Sequence, residues 1–168
     1  MSLPNFMCIG AAKSGTTSLY DILRQHSEIY LPSFKEPHFF DIPSVYNNGL
    51  DWYKEMYFSK VKEECCIGDF TPTYFFEKQA AKRIYDNLGE HVKFIIILRD
   101  PVDRAYSHYL HSKRDLHEDL TFIEALEKES ERMSQGDYLS RLRFSYVLQG
   151  MYFHMLEEYL KFFKKENF

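Results

Sequence analysis

A short apolar run, Phe6-Met7-Cys8-Ile9, leads without a gap into Gly10-Ala-Ala-Lys13-Ser14-Gly15, and then into Thr16 to His26, where Leu19, Ile22 and Leu23 recur on one helical face. An extended segment feeding straight into a helix packs that helix back against its own strand, so this order constrains the fold more than any other feature of the chain. The small residues between them let the backbone turn tightly. Exposed N–H groups at the helix start then offer positive potential to an anion.

The same alternation continues. Glu28 to Leu31 reads as a second short strand ended by Pro32, followed by an irregular, aromatic-rich stretch to Asn48 and a short helix over Leu50 to Phe58. Cys65 to Phe70 reads as a strand stopped by Thr71-Pro72, and Gln79 to Leu88 as a helix with Gly89 as its stop. Val92 to Leu98 is almost continuously apolar, as suits a parallel strand covered on both faces. Asp100-Pro101 supplies an N-cap and first-turn proline, and Thr121 with Glu124 has capping-box spacing. Tyr138 to Phe163 has long helical character, bent or interrupted near Gly150. The expectation is an α/β fold, a P-loop-like three-layer α/β/α arrangement with a central parallel sheet, in one domain over residues 1–168. Ligands of such folds bind beyond the carboxyl ends of the strands, which points to the loops after Ile9, Leu31, Phe70 and Leu98.

Composition narrows the function. With 45% hydrophobic and 17% aromatic residues among 168, the chain can bury a core. A net charge of −4 argues against a general nucleic-acid binder. No apolar stretch approaches the roughly 20 residues of a membrane span, and no secretory signal is visible. Cys8, Cys65 and Cys66 form neither a zinc spacing nor a disulfide framework, so a cytoplasmic, reducing setting is expected, with Cys8 a buried small hydrophobe. His108 and His111 stand at helical i, i+3 spacing with no clear third ligand, and the histidines other than His38 read as surface or core.

Three segments carry chemistry. The spacing Gly10-x4-Gly15 matches the first part of a Walker A loop, but Thr16 replaces the expected lysine and Lys13 lies two positions before Gly15. A kinase or ATPase loop needs that later lysine for the outer phosphates. Taken alone, the glycine spacing equally describes a tight turn with an exposed lysine. In the second segment, Arg99 stands at the end of the most apolar strand, and Ser107 lies on the helix that follows. A guanidinium there suits bidentate phosphate binding, or simply a neighbouring carboxylate. Lys35-Glu36-Pro37-His38-Phe39-Phe40-Asp41 is the third. A carboxylate pressed among aromatics has a raised pKa and suits a general base, whereas a solvated polar loop would leave it ordinary.

Gly-Ala-Ala-Lys-Ser-Gly-Thr-Thr-Ser-Leu resembles the 5′-phosphosulfate loop of sulfotransferases that use 3′-phosphoadenosine 5′-phosphosulfate (PAPS), in the heparan-sulfate-type and bacterial branch. The resemblance covers nearly the whole chain. It implies that Lys13 contacts the bridging oxygen and sulfuryl group, and that Ser14, Gly15, Thr16 and Thr17 hold the 5′-phosphate. Arg99 and Ser107 match the pair that grips the 3′-phosphate, with Arg104 a secondary contact. Lys-Glu-x-x-Phe-Phe resembles the catalytic segment of the same branch, making Glu36 the first choice of base and His38 the alternative. Lys35, Asp41, Phe70 and Tyr74 are expected to bind substrate, with Phe39 and Phe40 near the acceptor pocket. Phe70 stands where some polysaccharide-acting members carry lysine, which together with the acidic net charge points away from a highly anionic acceptor.

The expected reaction moves a sulfuryl group from PAPS, leaving PAP, to a hydroxyl or amine of a small-molecule or carbohydrate acceptor, without a metal. The family generally continues beyond the point where this sequence stops, so a missing C-terminal section and association into a homo-oligomer through an open sheet edge are further expectations. Two other readings stay open: an unusual P-loop kinase or nucleoside triphosphatase, and a non-catalytic PAP-binding domain.

Overall fold

The structure, a computed structural model, describes residues 2–168. Four strands, β1 (Phe6–Gly10), β2 (Ile29–Tyr30), β3 (Cys66–Phe70) and β4 (Lys93–Ile96), form one sheet in the order β2-β3-β1-β4. Every pairing is parallel. Alternation along β1 divides the core in two, as a period of two requires. Met7 and Ile9 face the main cluster with Phe39, Tyr53, Ile84 and Tyr159, while Cys8 faces Tyr20 and Phe70. The helix α1 (Thr16–Leu23) covers the second face. The helices α3 (Leu50–Phe58), α4 (Lys78–Leu88) and α8 (Tyr152–Leu160) cover the first, with α2 (Pro43–Tyr46) beside them. This is the expected three-layer arrangement.

Local chemistry sets the boundaries. Gly89 ends α4 with φ at +78°, a conformation glycine adopts at little cost. Asp100 caps α5 (Pro101–Arg114) by accepting from Val102 N at 2.9 Å and Asp103 N at 3.1 Å. Thr121 and Glu124 close the capping box of α6 (Phe122–Gln135). The apolar run that begins at Val92 pairs regularly only to Ile96. Its ladder shifts register opposite Gly10, and two further bonds, Ile97 N to Gly10 O and Ala11 N to Ile97 O, both 2.8 Å, extend it to Ile97.

The helical stretch expected over Tyr138 to Phe163 is interrupted around Gly150 as expected, into three pieces: α7 (Tyr138–Phe144), a 3-10 turn at Leu148–Gly150, and α8. The interruption spans Ser145 to Met151, and buried polar groups explain it. Glu129 on α6 accepts from Val147 N at 2.8 Å and Leu148 N at 2.9 Å, drawing those N–H groups out of the helical pattern. Gln149 donates to Leu142 O at 3.0 Å and Ser145 Oγ at 2.7 Å, tying the turn back to α7. Beneath it Ala105, Tyr109, Ala125 and Tyr146 form a separate small core joining α5 and α6.

Candidate active site

A cleft of about 420 Å³ opens beyond the carboxyl ends of the strands. Its lining comes from the loop after β1 (Ala12, Lys13, Gly15) with Thr16 and Thr17 of α1, from Glu36 after β2, from Pro72 and Thr73 after β3, from His108 and His111 on α5, and from Leu142 and Gln149. Residues distant in sequence thus meet where the parallel sheet delivers them.

The loop is built for an anion. Gly15 adopts φ +94° and Lys13 φ +68°, and these left-handed turns bring the chain around to the start of α1. No side chain caps the first-turn N–H groups of α1, which remain available to a ligand. Ser14 Oγ is buried without a hydrogen-bond partner. An orphaned hydroxyl is costly unless something accepts or donates there, so the loop fits a phosphate or sulfate group. Burial lowers the pKa of Lys13, and Arg114 lowers it further, while Asp115 and Glu36 act in the opposite sense. Charge at the end of α5 therefore reaches this lysine.

Glu36 and His38 both sit at positive φ, +63° and +53°. Non-glycine residues hold such conformations only when their surroundings enforce them, and here a chain of polar contacts does so. Lys35 Nζ donates to Glu36 Oε1, and His38 Nε2 lies 3.6 Å from Glu36 Oε2. On its other side, His38 Nδ1 meets Asp41 Oδ2 at 2.9 Å, and Thr73 donates to the same oxygen. Burial alone would raise the Glu36 carboxyl. The contacts with His38 and Lys35 outweigh it and bring the pKa down to about 2. Burial alone would lower His38, but Asp41 and Glu36 lift it to about 10. The raised base expected from aromatic surroundings is thereby corrected: two cations flank Glu36, and it is ionised at any working pH.

Several sequence-assigned residues lie elsewhere. Phe70 is 1% exposed, packed edge-on against Tyr20 at 5.7 Å on the α1 face, and lines no cleft. Tyr74, fully buried, is a strut: its hydroxyl accepts from Phe39 N at 3.0 Å and donates to Asp69 Oδ2 at 3.1 Å. Phe39 and Phe40 are core residues. These four side chains shape the site from beneath instead of touching a substrate. Asp41 is likewise buried and reaches the cleft only through His38 and Thr73. Arg104 is no secondary anion contact, because it is fully buried and donates to Tyr146 O. Arg99 is exposed, 3.9 Å from Asp103, and Ser107 is half-buried on α5; neither lines the cleft that holds Lys13 and Glu36.

Leu142 and Gln149 of the lining escaped sequence reasoning, as did three further contributors. His108 and His111 turn the inner face of α5 toward the cleft. Burial, then Arg104, lowers the imidazole of His108 to about 3. The i, i+3 spacing was visible, but nothing in it told which way the helix faces. Asp69 is the third, raised to about 6 by burial although Thr71, Tyr53 and Tyr74 donate to it. A lone carboxylate inside an apolar strand was the available signal. It ties the β3 loop to the segment carrying Glu36 and His38.

The family profile described as "Sulfotransferase domain" matches residues 3–168. Among curated proteins, the chain is 33% identical over 163 residues to the mouse heparan sulfate glucosamine 3-O-sulfotransferase 3B1, covering 96% of this chain and 39% of that protein. It is 39% identical over 111 residues to the membrane-associated sulfotransferase kil1 of Dictyostelium discoideum, covering 65% of this chain and 23% of that one. The chain thus spans less than half the length of these curated relatives. Among solved structures, a sulfotransferase from Alicyclobacillus acidocaldarius superposes with a TM-score of 0.85 at 36% identity, over 99% of this chain and 72% of that one.

Proposed function

From the premise that this chain belongs to the sulfotransferase family, we propose that its cleft transfers a sulfuryl group from PAPS to a hydroxyl or amine of a carbohydrate or small-molecule acceptor. One observation carries the reading: Lys13 and the uncapped start of α1 share a cleft with an ionised Glu36, and the loop between Lys13 and Gly15 holds a buried, unpartnered Ser14 hydroxyl. PAPS, when bound, supplies the sulfuryl group and a phosphate leaving group.

Ser14, Gly15, Thr16 and Thr17 hold the 5′-phosphate through backbone N–H groups and hydroxyls, and Lys13 places its ammonium where negative charge grows on the leaving oxygen. Arg99 and Ser107 are assigned to the 3′-phosphate, at the carboxyl end of β4 and on α5. Between the two candidate bases, Glu36 has the open lone pairs. His38, with a pKa near 10, already carries its proton and serves as a donor toward Glu36. A carboxylate of such low basicity takes a proton only from an acceptor already bonding to sulfur, so proton transfer accompanies attack. Lys35 balances the charge of Glu36.

The acceptor class follows the names of the relatives, several of which act on heparan sulfate glucosamine. A cytoplasmic setting accords with the two exposed free thiols, Cys65 and Cys66. Among the described residues no helix is long and apolar enough to cross a membrane. Thermal unfolding tests the reading directly. PAP should raise Tm and ATP with Mg²⁺ should not; the reverse result would assign the loop to a kinase or triphosphatase. PAP binding without transfer to any hydroxyl or amine in an acceptor panel would leave a non-catalytic domain.

A further inference from the structure

At the amino end of β3, away from the cleft, Cys65 and Cys66 are both exposed and free. Consecutive residues of an extended strand point to opposite faces, which would separate the two thiols widely. Their Sγ atoms are instead 3.8 Å apart, because β3 begins only at Cys66 and Cys65 still belongs to the turn before it. The backbone there is pinned from both sides. Asn5 Nδ2 donates to Cys65 O at 2.7 Å, and Asn5 Oδ1 accepts from Ile67 N at 2.9 Å. Cys66 N donates to Glu28 O at 3.1 Å, where β2 pairs with β3.

A disulfide would need the sulfurs to close to about 2.05 Å, which this clamped backbone opposes. Two thiolates bound at about 2.3 Å to one pyramidal trivalent centre stand about 3.4 Å apart, a small side-chain rotation from the spacing present. Among the described residues, no group of three or more His, Cys, Asp or Glu could complete a metal site. The centre that fits is therefore one satisfied by two sulfurs.

We propose that Cys65 and Cys66 form a preorganised dithiol site for monosubstituted trivalent arsenicals. In the reaction both S–H bonds break and two As–S bonds form. The arsenical oxygen leaves as water with the two thiol protons, and arsenic stays trivalent. Soft thiolate ligands favour such a centre.

Phenylarsine oxide is the probe. Native protein titrated with one equivalent should show a single arsenical adduct by intact mass and lose both exposed thiols to a thiol reagent. A dithiol should reverse the adduct, and an equal excess of monothiol should not. Cys65→Ser and Cys66→Ser, at exposed positions where serine is tolerated, should each abolish the adduct, while Cys8→Ser should keep it. The proposal is overturned if the wild type forms no adduct or if the adduct survives in either single serine variant. It is equally overturned if oxidised glutathione closes a Cys65–Cys66 disulfide at one equivalent, since the backbone would then not hold the thiols apart.

Discussion

His38 and Asp41 meet through Nδ1 and Oδ2 at 2.9 Å, with the carboxylate buried and the imidazole partly exposed. That contact decides which residue of the cluster can accept a proton. Asp41 keeps His38 charged, and a charged His38 helps keep Glu36 ionised. A buried residue without access to substrate thereby sets the protonation of the residue that has it.

Asp41→Asn should bring the pKa of His38 from about 10 down toward its ordinary 6.5, measurable by NMR titration of the imidazole. His38 is raised in the folded state, so its pairing contributes fully below pH 6.5 and is lost as pH climbs through about 10. The wild type should therefore lose stability across that alkaline interval, and the variant should lose less. An unchanged His38 titration in the variant would place control of the imidazole elsewhere.

Glu36→Gln should lower transfer by roughly 10²–10⁴-fold while PAP affinity, read by calorimetry, stays within a few-fold. Equal losses of turnover and affinity would make Glu36 a binding residue. Because its carboxyl is depressed to about 2, the wild-type rate should show no acidic limb from Glu36 near pH 4–5. The stability its contacts contribute is present above pH 4.5 and disappears as pH falls through about 2.

Lys13→Ala removes the one ammonium on the loop beside α1. Transfer should fall by about 10²–10³-fold, the scale of losing a charge-stabilising donor, with Tm changed little. Full activity in this variant would refute the assignment of the leaving oxygen to Lys13.

Glu129→Ala leaves Val147 N and Leu148 N without their acceptor. The expected cost is about 2 kcal/mol, or roughly 4–8 °C in Tm. Because the turn it holds presents Gln149 to the cleft, KM for the acceptor should rise more than kcat falls. Destabilisation with unaltered kinetics would confine Glu129 to a structural role.

Much of the scaffold is written in neighbouring residues. The strand, loop and helix over Phe6 to Leu23, the stop at Gly89, the Asp100 cap and the Thr121–Glu124 box all depend on contacts within a few positions, so the amino-acid order alone specifies them. Lys13 and Glu36 were legible as candidates for the same reason: each stands in a short motif beyond a strand end.

What remained out of reach depends on parts of the chain far apart in sequence. Phe70 and Tyr74 stand beside the site in sequence yet turn into the core. His108 and His111 face the cleft only because α5 packs on Tyr146 and α6. The interruption near Gly150 was legible, but its start just after Phe144 needs Glu129 from another helix. Glu36 looked like a base raised by desolvation, and the fold made it a strong acid by setting two cations against it. Periodicity and motif order are local and survive in the bare sequence, whereas side-chain direction and protonation are sums over neighbours that exist only once the chain has closed on itself.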